Sequence, residues 1–262
     1  MLSCWKKAEP DRELAQAGAR EGLRAFSQVA NYKQLLRKPI QDVPTGETYP
    51  AVVSRMIQAV AALAEKDFTP MAAVAGSIAD QVADYLIEHG ADKAVIDNGG
   101  DIAIRLKPGQ VAVVGVRTSR ACSPVTYTLR VEPNEGIGGV ATSGLGGRSL
   151  TKGIASAAVT VAASAALADA AATLIANSAS VDDPAIRRDR AEKVDPTTDI
   201  PGQLVTVSVG HLPENKVKAA LNQALSKARM LEAQGIIKAA LIARGTLVMV
   251  TSPGLFSPCP VD

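Results

Sequence analysis

The spacing of apolar residues changes several times along the chain, and each change marks an element. Residues 51–65 carry Val52, Val53, Met56, Ile57, Val60 and Leu63, the i, i+3, i+4 spacing of an amphipathic helix. Asp67-Phe68-Thr69-Pro70 interrupts it. Pro70 suits a first helical position and Gly90 a C-terminal stop, which predicts a helix over 70–89. The period then drops to two: residues 93–96 and 102–106 read as strands flanking the turn Asp97-Asn98-Gly99-Gly100-Asp101, a hairpin. Residues 111–116, 124–131 and 204–209 read as further strands, 214–234 as a helix, and 239–251 as a strand pair closing through Arg244-Gly245.

Elsewhere the pattern is weaker. Residues 9–24 predict an exposed helix, with 25–29 as the first strand. Residues 31–50, with Pro39, Pro44, Pro50 and Gly46, read as an extended loop whose Lys33, Arg37 and Lys38 face either solvent or an anion. Residues 178–202 read as a charged loop and 252–262 as a loose proline-containing tail. Hairpins and helices come in blocks rather than in strict βαβ alternation, so the expected class is α+β, antiparallel sheets with helices packed outside. The 262 residues are expected to form a single domain, with sub-parts 1–50, 51–180 and a closing strand-helix-strand over 203–251.

Composition sharpens this. Apolar residues make up 47% but aromatics only 3%, so the core must be built from Ala, Val, Leu and Ile, with backbones close together. With 28 basic against 26 acidic residues, nothing in the charge points to nucleic acid or an anionic membrane. No run is apolar enough to span a bilayer, and the expected location is cytoplasmic. Cys4, Cys122 and Cys259 match no zinc or redox spacing; the odd count fits a reducing compartment, and the place of Cys4 near the terminus leaves reactivity open.

Residues 140–177 form the focus: a glycine-rich turn, the β-branched Val159-Thr160-Val161, Ser164 as N-cap, then an alanine-dominated helix. On its bare surface Asp169 and Thr173, at i and i+4, face the same way. They read either as ligands of a hard cation beside a phosphate or as a solvated carboxylate and a back-bonded hydroxyl. The 70–89 helix likewise opens on small residues (Ala72, Ala73, Ala75, Gly76), which fits an anion seat at its N-terminus or close packing on a sheet.

The order of these segments resembles the ApbE superfamily, the FAD:protein FMN transferases, and most of all a short, uncharacterised branch of it. The resemblance rests on Thr69-Pro70-Met71-Ala72-Ala73-Val74-Ala75-Gly76, Asp97-Asn98-Gly99-Gly100-Asp101, Thr142-Ser143-Gly144 and Ala168-Asp169-Ala170-Ala171-Ala172-Thr173, and covers roughly residues 50–180. It implies an ApbE-like layered fold, Mg²⁺ held by Asp169 and Thr173 with a backbone carbonyl near Ala75 or Gly76, and FAD. It also implies a cofactor site lined by Met71, Asp80, Asn98, Gly99, Gly100, Thr142, Ser143 and Gly144. Arg148 stands where the family carries a histidine, and Ser156 where its short branch has an aspartate. Arg148 does not lose its proton and cannot act as a base, but it can clamp a phosphate or carboxylate.

Three functions follow from the resemblance: metal-assisted cleavage of a phosphorylated or carboxylated small molecule, binding of a flavin nucleotide without turnover, or flavin transfer with another base. In the first, Asp101 or Asp80 orients water and Arg148 or Lys152 offsets developing charge. His89 and His211 are expected to be structural. The expected partner is a small-molecule anion or flavin nucleotide, with neither nucleic acid nor membrane; the small-residue helices leave a homodimer open.

Overall fold

The computed structural model describes residues 1–6, 9–119 and 125–259. The elements run β1 (Leu2–Lys6), β2 (Glu9–Pro10), α1 (Arg12–Asn31), α2 (Lys33–Leu36), α3 (Ala51–Ala61), α4 (Val74–Glu88), β3 (Lys93–Asp97), β4 (Ile102–Leu106), β5 (Ala112–Val116) and β6 (Tyr127–Val131). They continue with β7 (Gly139–Ser143), β8 (Ala157–Ala162), α5 (Ala165–Ser178), β9 (Ile186–Arg190), α6 (Ala191–Val194), β10 (Leu204–Val209), α7 (Glu214–Ala233), β11 (Ala239–Arg244), β12 (Leu247–Val250) and β13 (Ser257–Pro258). The class is α+β, as the blocks of hairpins and helices imply.

The chain divides into two compact units interleaved in sequence: Met1–Val113 with Arg130–Ala141 and Val161–Ala170, and Val114–Leu129 with Thr142–Thr160 and Ala171–Asp262. In the first unit the strands lie in the order β2-β1-β3-β4-β7, with every neighbouring pair antiparallel. The 93–106 hairpin forms in the expected register, Asp97 opposite Ile102 and Lys93 opposite Leu106. Helix α4 packs on β3 and β4, and α1 packs on α4. The core between them is largely small: Ala79, Ala83, Ala91, Ala94 and Ala103 beside Val82, Leu86 and Ile96. In the second unit β8, β11 and β12 lie side by side, β9 pairs with β10, and β13 extends β6 and β5.

Four local expectations need correction. Residues 25–29 are not a strand but the last turns of α1: Asp11 caps that helix by accepting from the Leu14 amide at 2.9 Å, and nothing breaks it before Tyr32. Ala25 and Val29, four apart, are both buried, so five residues of mixed polarity fitted the helical period as well as alternation. Residues 31–50 hold α2 and a 3₁₀ turn at Ile40–Asp42. Residues 178–202 contain β9 and α6; this strand is charged, and its ladder to β10 rather than an apolar face holds it. The tail supplies β13, paired with β6.

Other expectations hold with small changes. The 70–89 helix opens as a 3₁₀ turn, Pro70–Ala73, before α4, and Gly90 ends it at φ +99°. Ser164 does cap α5, accepting from Leu167 N at 3.2 Å. Cys4 is buried, its thiol donates to the Asp11 carbonyl at 3.2 Å, and burial pushes its pKa up, which argues against a reactive thiol there. Cys122, and the start of the strand expected over 124–131, lie outside the described residues. His89 stacks on Tyr85 with ring centroids 3.9 Å apart, a packing role, and His211 is exposed.

Candidate functional site

The first unit's candidate site is built where α4 crosses the start of α5. Gly76 makes the crossing possible: a Cβ there would lie 2.2 Å from the Ala165 carbonyl oxygen. Gly139 of β7 presses from another side, its Cβ position 2.2 Å from the Ala165 backbone nitrogen. At so close an approach each helix reaches the other's open end. Asp80 of α4 accepts from the Ala165 and Ala166 amides of α5 at 3.1 and 2.9 Å. Asp169 of α5 accepts from the Gly76 amide of α4 at 3.0 Å. The free N–H groups of two helices are thus met by reciprocal carboxylates, with the negative charge placed where both macrodipoles favour it.

Asp80 is fully buried and does not stand alone. Arg105 of β4 donates to it from Nη2 at 2.9 Å and to Asp84 from Nε at 2.6 Å, while Arg55 of α3 lies 3.8 Å from Asp80 and 2.8 Å from Asp84. Arg105 Nη1 also donates to the Ile104 and Gly138 carbonyls. Burial alone would lower the Arg105 pKa, but Asp80 and Asp84 more than offset this and raise it. The resemblance assigns Asp80 to the cofactor site; in the fold it joins α3, α4, β4 and α5.

Asp169 sits differently. Burial first, and then the neighbouring Asp101 carboxylate, push its pKa well above the usual range, with Asp80 adding to this; the Gly76 and Ala75 amides pull the other way without prevailing. Asp101 ends the Asp97–Asp101 turn, which needs its glycines: Gly99 and Gly100 hold φ of +80° and +109°, and the Gly100 amide donates to Asp97 Oδ1 at 2.8 Å. The turn is tied to the head of α4 by Asn98, whose Nδ2 donates to the Ala75 carbonyl at 3.1 Å. Contacts therefore gather Ala75, Gly76, Asp80, Asn98, Gly100, Asp101 and Asp169 in one unit from three stretches distant in sequence. Met71 lies half-buried in the 3₁₀ turn just before α4.

The remaining expected residues belong to the second unit. Thr142 is exposed, Ser143 is buried, and Gly144 turns at φ +147°, its Cβ position 2.8 Å from the Ser156 carbonyl oxygen. Arg148 is exposed on the glycine-rich turn. The Lys152 amide donates to Asn177 Oδ1 at 2.9 Å. Thr173, half-buried, follows Asp169 by one turn of α5. Sequence reasoning missed Arg55, Asp84 and Arg105. One signal was present: Arg105 interrupts the apolar strand Ile102-Ala103-Ile104, and a cation there needs a buried counter-charge. Among the described residues, no three His, Cys, Asp or Glu side chains form a metal-binding group, and no helix is long and apolar enough to cross a membrane.

Known proteins resemble this chain over different extents. A UPF0280 protein of Methanococcus aeolicus is 35% identical over 188 residues, 67% of this chain and 71% of its own length. That of Methanothrix thermoacetophila is 38% identical over 143 residues, 54% and 57% of the two chains, and that of Archaeoglobus fulgidus 40% identical over 108 residues, 41% and 43%. The chain thus spans between about two fifths and seven tenths of these relatives' lengths. Among solved structures, the apo form of the flavinyl transferase ApbE of Pseudomonas stutzeri matches with a TM-score of 0.38 and 14% identity, covering 96% of this chain and 74% of that one. A family model described as AbpE bacteria matches residues 5–249, nearly the whole chain, and the protein belongs to that family.

Proposed function

We propose that the protein binds a phosphorylated or carboxylated small molecule of the FAD type together with Mg²⁺, at the crossing of α4 and α5. The observation that carries this reading is Asp169, whose pKa is raised by burial and by the neighbouring Asp101 carboxylate while it accepts from the Gly76 amide at a helix start. A divalent cation there would favour the charged carboxylate and relieve the repulsion between the two.

The donor set fits Mg²⁺ in particular. This ion takes hard oxygen ligands, and it is usually held by one or two carboxylates with water and substrate phosphates completing the shell. A site without a third acidic or imidazole ligand suits that habit. Asp169 would hold the ion beside Asp101, and the Thr173 hydroxyl lies one turn further along the same helix. When bound, the cation would polarise a phosphoryl oxygen and acidify a bound water. Asp101 would then orient that water, and Asn98 would keep the turn in place through the Ala75 carbonyl.

Aromatic side chains offer the flavin ring less. Tyr85 is stacked by His89, Tyr32 meets Tyr49 edge-on, and a Lys93 ammonium covers Trp5. On this reading the phosphate end of the ligand carries the recognition. The test is thermal denaturation with FAD, FMN and AMP, each with and without Mg²⁺, on the native protein, Asp169→Asn and Asp101→Asn. FAD should raise the melting temperature only when Mg²⁺ is present, and Asp169→Asn should abolish the effect while still accepting from Gly76. An equal shift in Asp169→Asn would discard the metal assignment. Release of AMP and FMN during incubation would separate cleavage from simple binding.

A further inference from the structure

Helices α1 and α4 run antiparallel, in a register fixed by two glycines. A Cβ at Gly18 would lie 2.9 Å from Leu86, and one at Gly22 would lie 3.4 Å from Val82, so four residues forward on α1 match four back on α4. Leu14 and Ala15 pack into the core on this side of α1, and Ala25 and Val29 are buried further along it. One flank of the seam is polar. Glu21 precedes Gly22, Gln81 precedes Val82, and Gln81 Nε2 donates to Glu21 Oε1 at 2.6 Å. Gln28 lies seven residues, two turns, beyond Glu21, and Ser77 lies one turn before Gln81, so both stay on that flank and come opposite one another. Helix α3 packs on both helices, and its Arg55 reaches Asp84 on the same flank at 2.8 Å.

Among the described residues, four buried side-chain oxygens have no hydrogen-bond partner in the protein, and three of them are Gln28 Oε1, Ser77 Oγ and Gln81 Oε1. Ser77 is fully buried. The Gln81 amide cannot be turned over, because the Glu21 carboxylate only accepts and so takes its NH₂ side. Buried polar atoms left unmet by protein are rare, and ordered water is their usual partner. We propose that this flank is a binding site for one internal water molecule, which donates to the Gln28 and Gln81 amide oxygens and accepts from the Ser77 hydroxyl. Three bonds of this kind are what a buried water typically makes. Charge gives a cation no advantage there. The three oxygens are neutral, Glu21 is met by Gln81 and by Arg24 at 3.6 Å, and Asp84 is met by Arg55 and Arg105. The water ties the second half of α1 to the head of α4, next to the Gly76 amide that donates to Asp169. It does not depend on any ligand at the crossing of α4 and α5.

A crystal structure at a resolution that orders internal water is the direct test. The expected result is one peak within about 2.7–3.2 Å of all three oxygens. A Ser77 hydroxyl bonded straight to Gln28 or to a helix carbonyl, with no such peak, overturns the proposal. So does a peak ringed by the six or so short oxygen contacts of a metal ion. Urea midpoints give a second reading in solution. Ser77→Ala and Gln28→Met each remove one contact without adding bulk or breaking a helix. Each should lower the midpoint, and the double variant should lower it by clearly less than the sum, because the first change already loosens the water. Strictly additive losses would mean that the two side chains share no partner, and the proposal would fall.

Discussion

Replacing Asp80 by alanine tests the reading of the helix crossing most directly. The carboxylate accepts from two α5 amides and lies against two guanidinium groups, and it is fully buried. Its removal leaves the first amides of α5 without their acceptor, a capping loss of about 0.5–2 kcal/mol. It also leaves Arg105, with only 22% of its side chain exposed, sharing the Asp84 carboxylate with Arg55. Removing one partner of a buried ion pair costs about 3–5 kcal/mol, because the remaining charge is left uncompensated. The two losses overlap, so about 3–5 kcal/mol is expected in all. Against a total stability of about 5–15 kcal/mol this is a large fraction. At roughly 2–4 °C per kcal/mol for a chain of this size, the melting temperature should fall by about 6–20 °C. Asp84→Ala is the internal control: its side chain is 33% exposed and caps no helix, so about 1 kcal/mol is expected. Urea denaturation of the three proteins gives both differences. If Asp80→Ala costs no more than Asp84→Ala, the carboxylate does not join the helices, and the account of the crossing fails.

Two further predictions bear on the same place. In Gly76→Ala the new methyl would meet the Ala165 carbonyl, a backbone atom that cannot turn aside, so a loss of about 3 kcal/mol or failure to fold is expected, while Gly254→Ala, with open space around it, should be near neutral. Because the folded-state pKa of Asp169 is raised, the folded protein binds more protons than the unfolded chain between the unfolded value, ~3.9, and the raised one. Its contribution is therefore most favourable below that window and is lost as pH rises through it. Without metal, native protein should lose stability relative to Asp169→Asn as pH rises from acid through the raised pKa, and Mg²⁺ should narrow the gap most at the upper end of that window. A difference that ignores pH would contradict the placement of Asp101 beside Asp169.

Where periodicity and punctuation agreed, the fold was legible. Pro70 and Gly90 bounded α4 well, and the Asn98-Gly99-Gly100 turn announced its hairpin because positive φ requires glycine there. Strand β9 was not legible, since Arg187, Arg188 and Arg190 carry no apolar alternation and the strand exists through its partner, β10. The start of α4 was half-read: its small residues suggested either an anion seat or close packing. The fold takes both readings at once, for Gly76 packs on Ala165 and its amide receives a carboxylate, that of Asp169 itself. Nothing in the spacing of residues 80, 105 and 169 could have shown that they converge, because the convergence is made by the sheet and the crossing.

That the anion at the head of α4 is supplied by the chain changes how a ligand must bind. A phosphate cannot simply take the Gly76 amide, which already donates to Asp169; under the proposed reading it would meet the site through a cation at Asp169. On that reading the carboxylate would serve two ends, closing a helix with one oxygen and meeting a metal with its charge, while Asp101 disfavours that charge on its own. Proton and cation compete for the same relief. Asp80, by contrast, has its charge matched by two arginines and two amides and has no such need. Two aspartates on two small-residue helices, each capping the other helix, are thus separated by their surroundings into one whose charge the fold matches and one that, under the proposed reading, would be matched by a cation.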